Sequence, residues 1–228
     1  AILTVIPTEI DAIFSTFGID KSKDLRKAGE LQYWRARIYS SINNSYLSIA
    51  VSFIYGAAGN VESAIAATMI CEQLGPRLML LVGIAAGDEK KTKIGDVIVP
   101  EVVHDVTMSV RKDSKLQPRT KSVEMDSRIR FHLKAHPINF QRLGPKLVAG
   151  AAEFAALKTL AATISGLTSS HIADPVSIHD GSIVSGNTLM RDSAYFPGFQ
   201  ETNDERCRAL EMEAAGFSRA CEIMGCPW

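Results

Sequence analysis

No run of apolar residues in the 228-residue chain reaches the roughly 18 needed to cross a bilayer as a helix. Neither sign of charge is in excess: Lys plus Arg is 25 and Asp plus Glu is 25. A balanced chain lacks the basic surface that a nucleic-acid polymer or an anionic membrane ordinarily demands, so a small molecule is the expected partner. Cysteine is sparse, and Cys71, Cys207, Cys221 and Cys226 contain no Cys-x-x-Cys pair. Neither a structural zinc nor a disulfide framework is expected, and the pattern suits a reducing cytoplasm. His104, His132, His136, His171 and His179 lack metal-ligand spacing, and no Gly-x-Ser-x-Gly elbow occurs. No metal and no cofactor is therefore expected. No signal peptide is visible; the chain starts at Ala1, and Cys226-Pro227-Trp228 stops where another strand is due, so a C-terminal truncation is expected.

What is present is a core-forming fraction of 46% apolar residues, enough for one large domain spanning 1–228. Ile2 to Ile6 reads as a fully buried strand. Pro7-Thr8 opens a helix to about Phe17, with Thr8 as N-cap and Glu9 in the dipole-favoured first turn, and Gly18 ends it. Tyr33 to Ser40 and Tyr46 to Phe53 read as strands around Asn43-Asn44. Val61 to Glu72 has helical periodicity and stops at Gly75-Pro76. Leu78 to Val82 is an apolar strand running into Gly83-Ile84-Ala85-Ala86-Gly87, and Val97 to Val99 is a further strand.

Farther along, Val110 to Arg130 reads as a polar loop or as a flap over an anion. Glu153 to Ile164 reads as helix, Ser177 to Ser185 as strand, and Ala209 to Met224 as helix. Near-continuous apolar strands alternating with helices predict an α/β fold. Its mostly parallel sheet is covered on both faces and takes ligands at the strands' carboxyl ends.

Three constellations fall where chemistry is expected. Glu9 follows the first strand and is either a solvated first-turn carboxylate or a general base aimed into the crevice. Gly83 to Gly87 lets backbone approach a ligand or simply makes a tight turn; it is neither a P-loop nor a dinucleotide fingerprint. Glu211-Met212-Glu213-Ala214-Ala215-Gly216 carries two carboxylates two residues apart, so at most one of them enters a pocket.

In this order, Glu9, Gly59-Asn60-Val61, Val82 to Gly87, Ile94-Gly95-Asp96-Val97-Ile98-Val99, Ile183 to Asn187 and Glu211-Met212-Glu213-Ala214 resemble the nucleoside phosphorylase/nucleosidase superfamily. The 5′-methylthioadenosine/S-adenosylhomocysteine nucleosidases are among its members. The resemblance spans nearly the whole chain. It implies a central mixed, mostly parallel, partly barrel-like sheet flanked by helices, and homo-oligomers. It implies that Glu9 activates water, that Glu213 holds the ribose hydroxyls with Met212 under the sugar, and that Glu211 adjoins them. Gly83, Ile84, Ala85 and Gly87 would line the sugar, and Asn187, Leu189 and Met190 the base.

The expected reaction is hydrolysis of an adenine-type nucleoside or nucleotide to free base and ribose derivative. Leu81 stands where phosphorylases of the superfamily carry a phosphate-binding Arg, which favours water over phosphate as nucleophile. A phosphate-dependent phosphorylase and a non-catalytic nucleotide-sensing domain are the alternatives. Ile84 replaces a Ser, Leu189 replaces a base-stacking aromatic, and the Ser-Asp pair that protonates the purine would lie beyond Trp228. The Val-Gly-Ile-Ala-Ala-Gly loop looks more like superfamily domains fused to signalling or defence proteins, some of which act on adenine nucleotides.

Overall fold

The computed structural model describes residues 1–40, 44–54, 56, 58–112, 115–135, 177–187 and 195–228. Its strands are β1 (Ile2–Thr4), β2 (Leu25–Ala28), β3 (Leu31–Ser40), β4 (Ser45–Phe53), β5 (Leu80–Leu81), β6 (Ala86–Gly87) and β7 (Val97–Ile98). They continue with β8 (Val102–Asp105), β9 (Ser109–Lys112), β10 (Lys115–Pro118), β11 (Lys121–Glu124), β12 (Ile178–His179), β13 (Ser182–Ser185) and β14 (Cys207–Glu211). The helices are α1 (Pro7–Phe17), α2 (Asn60–Leu74), α3 (Ser127–Ala135), α4 (Tyr195–Thr202) and α5 (Ala214–Ile223).

Two five-stranded mixed sheets carry the architecture, in the orders β2-β3-β4-β1-β5 and β11-β8-β13-β14-β6. In the first, β1 runs parallel to both β4 and β5. In the second, β13 runs parallel to β8 and β14. Two-stranded pairs β9–β10 and β7–β12 complete the pairing, and no closed barrel forms among the described residues.

Alternation along the central strands explains why both faces are covered. In β1, Ile2 packs towards α1 with Ile10, Phe14, Ala36 and Val51, whereas Leu3 packs towards α2 and α5 with Ile70, Met79 and Phe217. In β13, Ile183 meets Ala214 and Ala215 at the start of α5, and Val184 meets Phe199 of α4. The first turn of α5 thus packs on the second sheet while its later residues pack on the first.

Several local expectations are corrected. The N-cap of α1 is Ile6, with Pro7 at the first helical position, because Pro lacks the N–H that a helix start leaves unpaired anyway. Val110 to Arg130 is not a loop: it holds β9, β10, β11 and the start of α3, and β11 pairs antiparallel with β8. Ala209 to Glu211, expected to open the helix, instead end strand β14, with Cys207 and Ala209 fully buried between sheet neighbours. Glu153 to Ile164 lies outside the described residues. No helix among the described residues is long and apolar enough to cross a membrane.

Candidate functional site

The end of β1 and the start of α1 place Glu9. Its Oε2 accepts the backbone N–H groups of Val5 (2.9 Å) and Ile6 (3.1 Å), so the carboxylate satisfies amides that the helix start leaves open. Its Oε1 accepts the N–H of Ile84 at 2.9 Å. Three amides from two chain segments therefore fix one carboxylate. Gly83 makes the approach possible, since a Cβ there would lie 2.9 Å from Glu9 Oε1. Gly83, Ile84, Ala85 and Gly87 are all exposed, and Ile84 is 77% exposed, so the loop is open to solvent while its backbone holds Glu9. Gly87 is held short by Thr92, whose Oγ1 would be 2.4 Å from an added Cβ.

The other expected carboxylates stand at the β14–α5 junction. Glu211 Oε2 accepts the N–H of Glu213 (2.8 Å) and of Ala214 (2.7 Å), so this acid caps α5. Its other oxygen, Oε1, is buried without a hydrogen-bond partner among the described residues. Burial pushes the Glu211 carboxyl above its ordinary range, against the pull of these amides. Glu213 is the second acid of this junction, buried by its surroundings. Desolvation first, then the charges of Glu211 and Glu9, raise its pKa to about 7, while the amides of Met212 and Gly59 hold it back. Met212 N–H reaches Glu213 Oε2 at 3.3 Å. The Glu9 charge is the weakest of the three influences that raise the Glu213 pKa.

A buried polar network braces that junction. Ser63 Oγ donates to Glu213 O at 2.6 Å. Asn60 Oδ1 accepts Ser185 Oγ (3.0 Å) and Gly216 N–H (2.8 Å), and Ser185 Oγ accepts Ala215 N–H at 3.0 Å. Asn187 Oδ1 accepts both the N–H of Asn60 (3.1 Å) and its Nδ2 (3.2 Å). Asn187 is among the expected site residues, whereas Asn60 and Ser185 appear in the sequence only as parts of family motifs and Ser63 carries no signal. Only the fold brings them together, across 125 to 156 positions of chain. Gly59-Asn60 before a helix and Ser185-Gly186-Asn187 after a strand are the only signals, and each alone reads as a turn.

Leu189 and Met190 lie outside the described residues. Among the described residues no group of three or more His, Cys, Asp or Glu side chains is arranged to hold a metal. The other histidine pairs lie elsewhere: His179 Nε2 meets Asp96 Oδ2 at 2.9 Å and His104 Nε2 meets Asp204 Oδ2 at 3.1 Å, each joining neighbouring segments.

A model of the phosphorylase superfamily matches residues 38–228. The chain belongs to the phosphorylase superfamily. Among curated proteins of this superfamily's kind, ATP nucleosidase Cap17 of Escherichia coli (strain KTE188) is 30% identical over 232 residues, covering 99% of this chain and 43% of Cap17. The chain thus spans less than half the length of that relative. Two solved structures share the superfamily fold. One is 5′-methylthioadenosine/S-adenosylhomocysteine nucleosidase of Neisseria meningitidis in complex with methylthio-immucillin-A. It has a TM-score of 0.62 at 16% identity, over 99% of this chain and 80% of that one. The other is futalosine hydrolase of Helicobacter pylori, with a TM-score of 0.62 at 20% identity, over 99% and 79%. This phosphorylase-superfamily chain therefore shares the mixed α/β arrangement of the nucleosidases.

Proposed function

We propose that the protein is a purine nucleosidase that hydrolyses the N-glycosidic bond of an adenine-type nucleoside or nucleotide. The observation that carries this reading is the Glu9 carboxylate held by the backbone of the glycine loop, close enough for its charge to act on Glu213. Breaking the bond to the purine builds positive charge on the sugar ring, as in other glycoside cleavages. A fixed carboxylate at that ring stabilises the charge, and the same group takes the proton of an attacking water. Glu9 is suited to this part because three amides hold it without a salt bridge among the described residues. Glu213 is suited to bind ribose hydroxyls, and Met212 to pack beside the sugar.

Water is favoured over phosphate as nucleophile. Leu81 is packed against the core between the two sheets, where it offers no cation to a phosphate. Glu9 adds negative charge at the place where the nucleophile would enter. ATP, the substrate named for the Cap17 relative, is the first compound to test.

The test incubates full-length protein with ATP, AMP, adenosine and methylthioadenosine, with and without phosphate, and follows free base. Base release that does not depend on phosphate is the expected result. Strict phosphate dependence would make the enzyme a phosphorylase, and binding without any base release would make the domain a nucleotide sensor.

A further inference from the structure

The first sheet is one strand short at its outer end. Strand β2 pairs with β3 only from Leu31 to Trp34, and the Arg35 N–H reaches Asp24 O at 3.0 Å just past that stretch. Beyond this bond β3 runs on to Ser40 with no strand on that side among the described residues. A cavity of about 410 Å³ opens at the step, lined by the end of α1 from Phe17 to Ile19 and by Asp24, Arg26, Arg35 and Arg37. It lies away from Glu9, which stands in the first turn of α1, whereas Phe17 ends that helix roughly 12 Å along the axis.

Register brings three guanidinium side chains to this cavity. Arg35 and Arg37 are two apart on β3 and share a face of the strand. Arg26 stands opposite Tyr33, two residues before Arg35, and so shares that face. Arg26 Nη1 donates to the carbonyls of Lys23 (2.7 Å) and Leu25 (2.8 Å), which hold the side chain at the end of β2. Arg35 Nε donates to Ser48 Oγ at 3.1 Å. Neutral acceptors thus orient both heads, and all three arginines are exposed.

Among the described residues no carboxylate pairs with any of the three, whereas Lys21, Lys23, Arg130 and Arg219 each have one. The cavity lining contains a single acid, Asp24, whose Oδ2 is taken by the Asp20 N–H at 2.8 Å. That carboxylate and the negative end of α1, worth about half a charge, stand against three positive charges. A surplus of more than one charge therefore gathers here in a chain whose net charge is zero. Unpaired guanidiniums select anions, and phosphoryl oxygens match the planar fork of arginine two at a time. The volume falls within the roughly 300–1,000 Å³ usual for small-molecule pockets.

We propose that the step between β2 and β3 is a second binding site, for an anion bearing two or more phosphoryl groups, held by Arg26, Arg35 and Arg37. It is separate from the Glu9 site and does not depend on the nucleosidase reading.

Inorganic tripolyphosphate tests it, because that probe has neither a glycosidic bond nor a base. Calorimetric titration of the full-length protein in phosphate-free buffer should show binding. Arg35→Ala/Arg37→Ala should weaken it at least about tenfold, the loss of charge-assisted hydrogen bonds. Arg128→Ala/Arg219→Ala removes as many charges elsewhere and should bind as the wild type does. Melting temperatures without ligand show whether each variant is folded. Arg37→Ala alone supplies the comparison if the double variant is unstable, since this side chain makes no hydrogen bond among the described residues. Sulfate at equal ionic strength should bind at least about tenfold more weakly than tripolyphosphate, as one phosphoryl-sized group engages fewer guanidiniums. The proposal is overturned by no binding to the wild type at millimolar tripolyphosphate, by equal affinity in Arg35→Ala/Arg37→Ala, or by an equal loss in Arg128→Ala/Arg219→Ala. Equal affinity for sulfate overturns the requirement for more than one phosphoryl group.

Discussion

Glu9 occupies the space that any side chain at residue 83 would need: a Cβ on Gly83 would lie 2.9 Å from Glu9 Oε1. The bond from Ile84 N–H to that oxygen, 2.9 Å long, depends on this approach. Gly83→Ala should therefore push the carboxylate away and lower kcat while leaving most of the core untouched. Glu9→Gln should lower kcat by about 10²–10⁴-fold, the range for removing a general base. Steady-state base release from both variants checks this, and near wild-type kcat in Glu9→Gln would remove Glu9 from the mechanism.

Gly216 sets how closely α2 and α5 approach. A Cβ there would lie 1.7 Å from Asn60 O and 2.6 Å from Ser63 Oγ, so backbone must move to admit it. Gly216→Ala should destabilise the fold by at least about 1–3 kcal/mol, as overpacking does, and should disturb the Asn60–Asn187 contact. Urea unfolding measures the loss; unchanged stability would mean the helices separate at no cost.

Glu213 gives stability a pH dependence of known sign. Its pKa is raised from the ordinary 4.5 to about 7, so between those values the folded protein keeps a proton that the unfolded chain releases. The stability from this group is full below about 4.5 and is lost as pH rises through about 7. Glu213→Gln should remove that slope from the difference between variant and wild type. Glu211→Gln should shift the titration downward, because the Glu211 charge is one cause of the rise. Unfolding free energies measured from pH 4.5 to 8 test both; a Glu213→Gln variant that follows the wild-type curve refutes the assignment.

The buried thiols should be inert while the protein is folded. Cys207 and Cys221 are fully buried, and desolvation raises both pKa values, that of Cys207 to about 11. At pH 8 a thiol of that acidity is thiolate in about one part in a thousand. Titration with an aromatic disulfide reagent should reach these two only after denaturant is added. Rapid labelling of either in native protein would show that α4 or α5 opens readily.

How much of the site could be read in advance varies by residue. Glu9 was legible because it follows a buried strand at a helix start, where a carboxylate has amides to accept. Its three partners were only partly so: Val5 and Ile6 are near in sequence, but Ile84 is 75 residues away. The Glu211–Glu213 pair was expected to send at most one acid into a pocket, but what each acid contacts depends on something that spacing does not contain. Strand β14 ends at Glu211 and α5 begins at Ala214, so Glu211 accepts the first amides of the helix while Glu213 accepts the Met212 N–H.

The chain's own order of apolar runs, glycines and helix signals determined the covered parallel strands, the position of Glu9 and the family, because these depend on local periodicity and on short motifs. Only the tertiary structure decided that Asn60 meets Asn187, that Ser63 braces Glu213 and that burial raises the pKa of both Glu211 and Glu213. Those facts depend on burial and on hydrogen bonds between segments more than a hundred residues apart, and no local pattern records which distant partner a polar group will meet.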